Sequence, residues 1–352
     1  MKKFLLDSDI IEIVERIDTK DKLEGKTILM TGARGFLGRY FLEIFKKMNQ
    51  HYFKNPVRII ALDNLITSGD LGSKISEEEN VEFLKLDVTK PVDIKQKLDY
   101  VIHAAGIASP HYYRTYPLET LDVAINGTRN MLNLAKRNSA RFTFFSSSEI
   151  YGDPDSENVP TSEKYRGYVA TMGQRACYDE GKRVGETLCY IFQSNFGVHT
   201  NIVRPFNFYG PGMQEKDYRV LPNFASRIKA KLPLRIYGHG NQTRTFCYIT
   251  DAMVGLFKVI IDGKNGEAYN IGNPNPEISM IKLVKRIGKV LDSEIPYEII
   301  EYPNSYPSDE PNRRCPDIQK AKEQINYLPC VELDEGLKRF FQWTDENYEG
   351  LQ

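Results

Sequence analysis

The stretch 27–38, TILMTGARGFLG, limits the possible folds more than any other part of the chain. An apolar run stops on three glycines, Gly32, Gly35 and Gly38, and an amphipathic pattern of helical period begins at once. A strand that turns on glycines into a helix lets backbone approach a pyrophosphate and aims a helix N-terminus at its charge. The spacing is GxxGxxG rather than GxGxxG, and a tight turn alone would also use it. The rest of the chain decides between the two. Further apolar strands follow at VRIIALD (57–63), VEFLKLD (81–87), DYVIHAAG (99–106), ARFTFFSSS (140–148) and TNIVRPF (200–206), with helices at 117–138 and 173–195 among them. Near-continuous apolar strands alternating with helices predict a parallel sheet covered on both faces.

The expected architecture is therefore α/β: a Rossmann-type doubly wound parallel sheet with a smaller, interleaved C-terminal α/β lobe. The length of 352 residues suits two units. Residues 1–24 form a lead-in whose Ile10, Ile11, Ile13, Val14 and Ile17 have helical spacing, and 25–206 form the dinucleotide domain. Residues 207–352 form mainly the second lobe, with helices near 220–230, 250–262, 278–291, 317–325 and 333–347, and strands near 233–237 and 267–271. Segments near 243–272 are expected to return to the first domain. Lys plus Arg equals Asp plus Glu at 47 each, which removes the electrostatic argument for nucleic acid or an anionic membrane. Asp7 and Asp9 interrupt the apolar start too early for a signal peptide, and no run approaches the ~20 apolar residues of a membrane span. Five cysteines without CxxC spacing read as free thiols, which places the protein in the cytoplasm; five scattered histidines offer no metal site.

Asp63 closes the second strand, where a carboxylate can take both ribose hydroxyls and would repel a 2′-phosphate. NAD is thus expected rather than NADP, although Arg34 inside the glycine turn argues the other way. Residues 49–56 read as a loop insertion that lengthens the interval to Asp63. Phe36, Leu37 and Asn64 flank these positions. Asp87 and Val88 end the third strand near the expected adenine. Ala104, Ala105 and Gly106 end the fourth and are small enough for a cofactor to lie against backbone.

Tyr178 is followed four residues later by Lys182, a spacing that puts both on one helix face. A phenol with a pKa of ~10 is a poor base unless a cation stabilises the phenolate, and Lys182 can do so. Gly181 and Gly185 are read as leaving room on this face for a cofactor. Val184, Leu188 and Ile191 have core spacing on the other. Ser146, Ser147 and Ser148 end a strand where ligands of such sheets bind, so Ser147 can bond the oxygen that Tyr178 deprotonates. Glu149 is either a further acid or base or a solvated loop carboxylate. Arg244, Arg313 and Arg314 suit diphosphate recognition or surface ion pairs.

Together these motifs resemble the extended short-chain dehydrogenase/reductase family of nucleotide-sugar epimerases, dehydratases and decarboxylases, over roughly 25–345. SSSEIYGDP (146–154), RACYDEGKRVGETLCY (175–190), NQTRTFCYITD (241–251) and DEPNRRCPDI (309–318) are most similar to its UDP-glucuronate decarboxylase branch. The resemblance implies bound NAD, a nucleotide-sugar substrate, a homodimer and transient oxidation at C4. It gives Ser147, Tyr178 and Lys182 the oxidation, and Glu149 and Arg244 the decarboxylation. Pro205 falls on the cofactor side, while Ser109, Asn207, Val220, Tyr237, Arg244 and Arg314 fall on the substrate side. Asp122 and Ala124 depart from that branch: an aspartate in place of a lysine near the substrate would disfavour an acidic sugar. KYRGYVATMGQ (164–174) departs as well. C4 epimerisation, dehydrogenation or ketoreduction of another nucleotide sugar is the alternative, and 4,6-dehydration is disfavoured by Ser148.

Overall fold

The computed structural model describes residues 4–68, 79–302 and 311–350. Asp309 and Glu310 of the last motif lie outside these. Strands β1 (Thr27–Thr31), β2 (Arg58–Asp63), β3 (Val81–Lys85), β4 (Tyr100–His103), β5 (Arg141–Phe145) and β6 (Thr200–Pro205) form one sheet. The strand Glu267–Ile271 joins it, and the order is Glu267–Ile271, β6, β5, β4, β1, β2, β3. Every pairing in this sheet is parallel. The winding reverses between β1 and β4, and a crevice opens outside the carboxyl ends of strands at such a point.

Helices cover both faces, as the two-sided burial of β1, β2 and β4 requires. On one face α1 (Asp7–Arg16), α2 (Phe36–His51) and the helix Ile249–Asp262 build a core with Phe41, Phe45 and Phe257 in ring contact. The helix Ile249–Asp262 lies between α1 and the sheet, so every residue from Ile249 to Ile261 is buried. The short α3 (Pro110–Thr115) precedes a long helical segment that is not uniform. It starts as α4 (Pro117–Asp122), passes through a π-helical turn at Val123–Gly127 and ends as α5 (Thr128–Asn138). Below it, α6 (Ala176–Phe196) carries the Tyr–Lys pair and stops at Gly197, whose φ of +67° is left-handed.

Two readings of α6 change. A Cβ on Gly181 would meet the Ala124 Cβ at 3.0 Å, and one on Gly185 would strike the Phe144 ring at 2.3 Å. Those glycines let α6 approach its neighbouring helix and the sheet; they do not make room for a cofactor. Leu188 is buried, but Val184 and Ile191 are 36% and 37% exposed, so the second face is not core. Spacing identifies a face without saying what lies against it.

Candidate active site

A cleft of about 380 Å³ lies between the sheet's carboxyl edge and the second lobe. Gly32, Gly35, Gly38, Ala104 and Gly106 bring backbone to its floor, and Phe36 and Leu37 line it beside them. Gly32 has φ +72°, and a Cβ there would sit 2.9 Å from the Ala104 backbone. Gly35 caps α2 without a side-chain hydrogen bond, so the first-turn N–H groups face the turn uncovered. A glycine floor against the N-terminus of a 16-residue helix fits a dinucleotide pyrophosphate.

At the rim, Asp63 accepts hydrogen bonds from the Arg34 amide at 2.8 Å and the Leu65 amide at 2.7 Å, which fix its carboxylate at the end of β2. The Arg34 guanidinium turns over the Phe83 ring at 5.3 Å. Asp87 receives the Thr89 amide at 2.9 Å, Val88 is buried, and Asn64 receives the Ile66 amide at 3.1 Å. Ala105 donates its N–H to Thr31 at 3.0 Å, and Pro205 lines the cleft.

Tyr178 and Lys182 meet in the middle of the cleft. Tyr178 is 8% exposed, stacks on Tyr113 at 5.6 Å and lines the cleft together with Ser147. Burial pushes its hydroxyl up to about 12, and the neighbouring Ser147 hydroxyl and the Arg219 charge work against that. Lys182 donates to the Phe145 carbonyl at 2.6 Å, with its Nζ 5.7 Å from the Tyr178 ring centre. Burial pulls Lys182 down to about 8, with Glu186 opposing, so it remains mainly cationic at neutral pH. A Cβ on Gly106 would lie 3.0 Å from this Nζ, which explains a glycine there. A buried phenol, a cation and a second hydroxyl side by side can serve as proton acceptor, its stabiliser and a further hydrogen-bond donor.

Glu149 is not a solvated loop carboxylate. Its Oε2 accepts hydrogen bonds from Arg175 and, at 2.7 Å, from Arg314. Arg175 also reaches Asp179 at 3.4 Å. Arg314, expected among diphosphate contacts, is thus engaged with Glu149. Arg313 pairs with Glu277 at 2.7 Å. Arg244 is 6% exposed, lines the cleft and donates to the Thr243 carbonyl at 2.8 Å.

Farther out, Asn207, Val220 and Tyr237 line the lobe side, and Tyr237 stacks on Tyr302 at 5.9 Å. Ala108 and Pro110 line the cleft, whereas the Ser109 hydroxyl between them is buried with no partner among the described residues. Asp122 is exposed on α4, receives Asn126 at 3.2 Å and is not among the residues lining the cleft. The charge objection to an acidic sugar therefore lapses. Sequence reasoning missed Arg175, Asp179, Arg219 and Tyr302. Arg175 and Asp179 stand four apart around Tyr178, but so do many surface ion pairs.

Residues 28–272 match the NAD dependent epimerase/dehydratase family. The chain is 38% identical over 318 residues to UDP-glucuronic acid decarboxylase 1 of Arabidopsis thaliana, covering 89% of this chain and 68% of that protein. To the Xenopus tropicalis protein of the same name it is 37% identical over 341 residues, covering 96% and 75%. It superposes on an epimerase structure from Methanothermobacter thermautotrophicus with a TM-score of 0.79 at 26% identity, covering 97% of this chain and 96% of that one. A matched span of this length, over a floor shaped for a dinucleotide, leads to one conclusion: the chain belongs to the NAD dependent epimerase/dehydratase family.

Proposed function

We propose that the chain removes carbon dioxide from UDP-glucuronate to give UDP-xylose by transient oxidation at C4. One observation carries this reading: Glu149 is clamped by Arg175 and Arg314 in the same cleft as Ser147, Tyr178 and Arg244. Oxidation or epimerisation at C4 needs only the serine, tyrosine and lysine; a fixed carboxylate and a buried arginine beside them are additional equipment. The similarity to relatives named decarboxylases supports the same choice.

Tyr178 takes the C4 hydroxyl proton, Lys182 stabilises the phenolate and Ser147 holds the oxygen in place. Bound NAD supplies the hydride acceptor, and later the donor, at C4. A ketone at C4 makes the C5 carboxylate a β-keto acid. The bond to carbon dioxide then breaks, and its electron pair enters an enolate whose oxygen Ser147 and Tyr178 hold. C5 takes a proton, and Tyr178 returns the hydroxyl proton when C4 is reduced. Residues 25–206 and segments near 243–272 would carry the cofactor. Asn207, Val220, Tyr237 and Arg244 would grip the nucleotide sugar, with Ser109 below them.

Incubation with a panel of nucleotide sugars tests this: UDP-glucuronate should lose 44 mass units, the mass of carbon dioxide. No change with UDP-glucuronate, but isomerisation or ketone formation with another sugar, rejects it. Tyr178→Phe should abolish turnover, and an unchanged rate removes the assigned base. A homodimer through α4, α5 and α6 is part of the reading, supported by exposed Leu118, Val184, Tyr190 and Ile191; a monomer by light scattering excludes it. A cytoplasmic location rests on five unpaired thiols, and recovery outside the cytosolic fraction would contradict it.

A further inference from the structure

Decarboxylation has a proton balance that the residues named so far do not close. The substrate loses neutral carbon dioxide from a carboxylate, and the electron pair of that bond ends in a new C5–H bond. The C4 hydroxyl proton leaves to Tyr178 and returns, so it supplies nothing net. Each turnover therefore consumes one proton from solvent, while the sugar itself fills the cleft.

A second cavity of about 370 Å³ adjoins the cleft. Asp179 lines it, Gln242 and Tyr302 line both cavities, and exposed Tyr168, Ala170 and His239 stand on its rim. Asp179 and Glu149 bond adjacent nitrogens, Nε and Nη2, along one edge of the Arg175 guanidinium. That edge ordinarily takes the two oxygens of one carboxylate. Two like charges crowded there favour a state in which one carboxyl keeps a proton. Asp179 is 7% exposed, and its Oδ1 is buried with no partner among the described residues, as a carboxyl carrying a transferable proton can be. Burial first, then Glu149, push Asp179 well above the ordinary carboxylate range, against Arg175 and Arg314. The second cavity adds Asp153, held by Asn312 at 2.8 Å, and His239.

We propose that Asp179 is a positioning residue that holds the proton each turnover consumes, delivers it through Glu149 toward C5, and is recharged from the second cavity. This rests on the decarboxylase reading above. A plain clamp role, Asp179 only steadying Arg175, predicts different behaviour.

The test measures carbon dioxide release, proton uptake in weak buffer and product mass for wild type, Asp179→Asn, Asp179→Glu and Asp179→Ala with UDP-glucuronate. Asp179→Asn should lower kcat at least about tenfold at low pH with KM within about twofold, and the loss should shrink as pH rises, because wild-type Asp179 then gives up the same proton. The species waiting for that proton, the decarboxylated enolate with reduced cofactor, should accumulate, since neither C4 oxidation nor loss of carbon dioxide needs Asp179. Asp179→Glu should recover part of the rate, and added formate should partly rescue Asp179→Ala. A wild-type kcat and pH profile in Asp179→Asn overturns the proposal, as does a uniform loss without intermediate or rescue. If wild type releases no carbon dioxide, the decarboxylase reading fails and this inference with it. Release by wild type with indifferent variants sinks this inference alone.

Discussion

The cluster beneath the N-terminal helix and the cluster at the cleft use the same side chains and are finished differently. Under α1, Asp9 receives Tyr248 at 2.7 Å and Arg339 at 3.4 Å. Glu12 takes Arg16 at 2.9 Å and Arg339 at 2.7 Å, one on each oxygen. Asp251 takes Arg16 at 2.5 Å and the amides of Cys330 and Val331 at 3.0 and 2.9 Å. Every carboxylate oxygen there has a donor. Beside the cleft, Asp179 keeps an oxygen without a donor among the described residues, and two carboxyls share a single guanidinium edge. A closed set of partners holds elements together; an open set can exchange protons. The first cluster ties the lead-in helix to the helices Ile249–Asp262 and Leu333–Asn347. The second stands where the proposed reaction would need a group to change state.

Substitutions should separate the two. The largest effect is expected from Glu149→Gln, with turnover falling about 10²- to 10⁴-fold and the melting temperature unchanged or raised; an equal loss of stability would mean that this cluster too is structural. Next comes Asp251→Ala, which removes the fully buried partner of Arg16 and should cost about 3–5 kcal/mol by denaturant unfolding. Its kcat per folded molecule should stay at the wild-type value. Asp9→Asn sharpens the contrast through pH. Burial raises Asp9 from 3.8 to about 6, despite Tyr248 and Arg339. The folded state therefore binds the extra proton, and the stability from this group is full below about pH 4 and lost as pH rises through about 6. A rise of that size corresponds to on the order of 3 kcal/mol, and Asp9→Asn should flatten that part of the stability profile. An identical slope in the variant would refute the assignment. The smallest effect belongs to the surface pair Arg235–Glu298, 2.8 Å apart and nearly half exposed. Breaking it should cost less than about 1 kcal/mol, vanishing in high salt; a larger loss would blur the distinction between surface and buried pairs.

What the chain discloses before folding is local. The glycine turn, the seventh strand at 267–271 and the Tyr178–Lys182 pair are legible because each is a short-range pattern with a stereochemical reason. Ser147 is legible because it ends a strand. Arg175 and Asp179 are not, since their meaning depends on Glu149 arriving from another element and on a cavity beside them. Asp122 misleads for the converse reason: proximity along the chain to a site says nothing of which way a helix face turns. Gly181 and Gly185 were legible as a small-residue face, but only the packed neighbours, Ala124 and Phe144, show what the smallness serves.

The π-helical turn at Val123–Gly127 has a consequence for how this part of the chain can vary. One extra residue in a turn delays the helix by about 100° of rotation, so α5 runs out of phase with α4. Ala124 comes against α6 while Met131, Leu132 and Leu134 reach the core under the sheet, two targets that a uniform helix of this length would not align with these residues. The segment behaves as two oscillations joined at a phase slip. A single-residue deletion there would take out the extra residue, restore the regular period and leave α5 on its targets, whereas the same deletion within α5 would rotate the residues beyond it by about 100°.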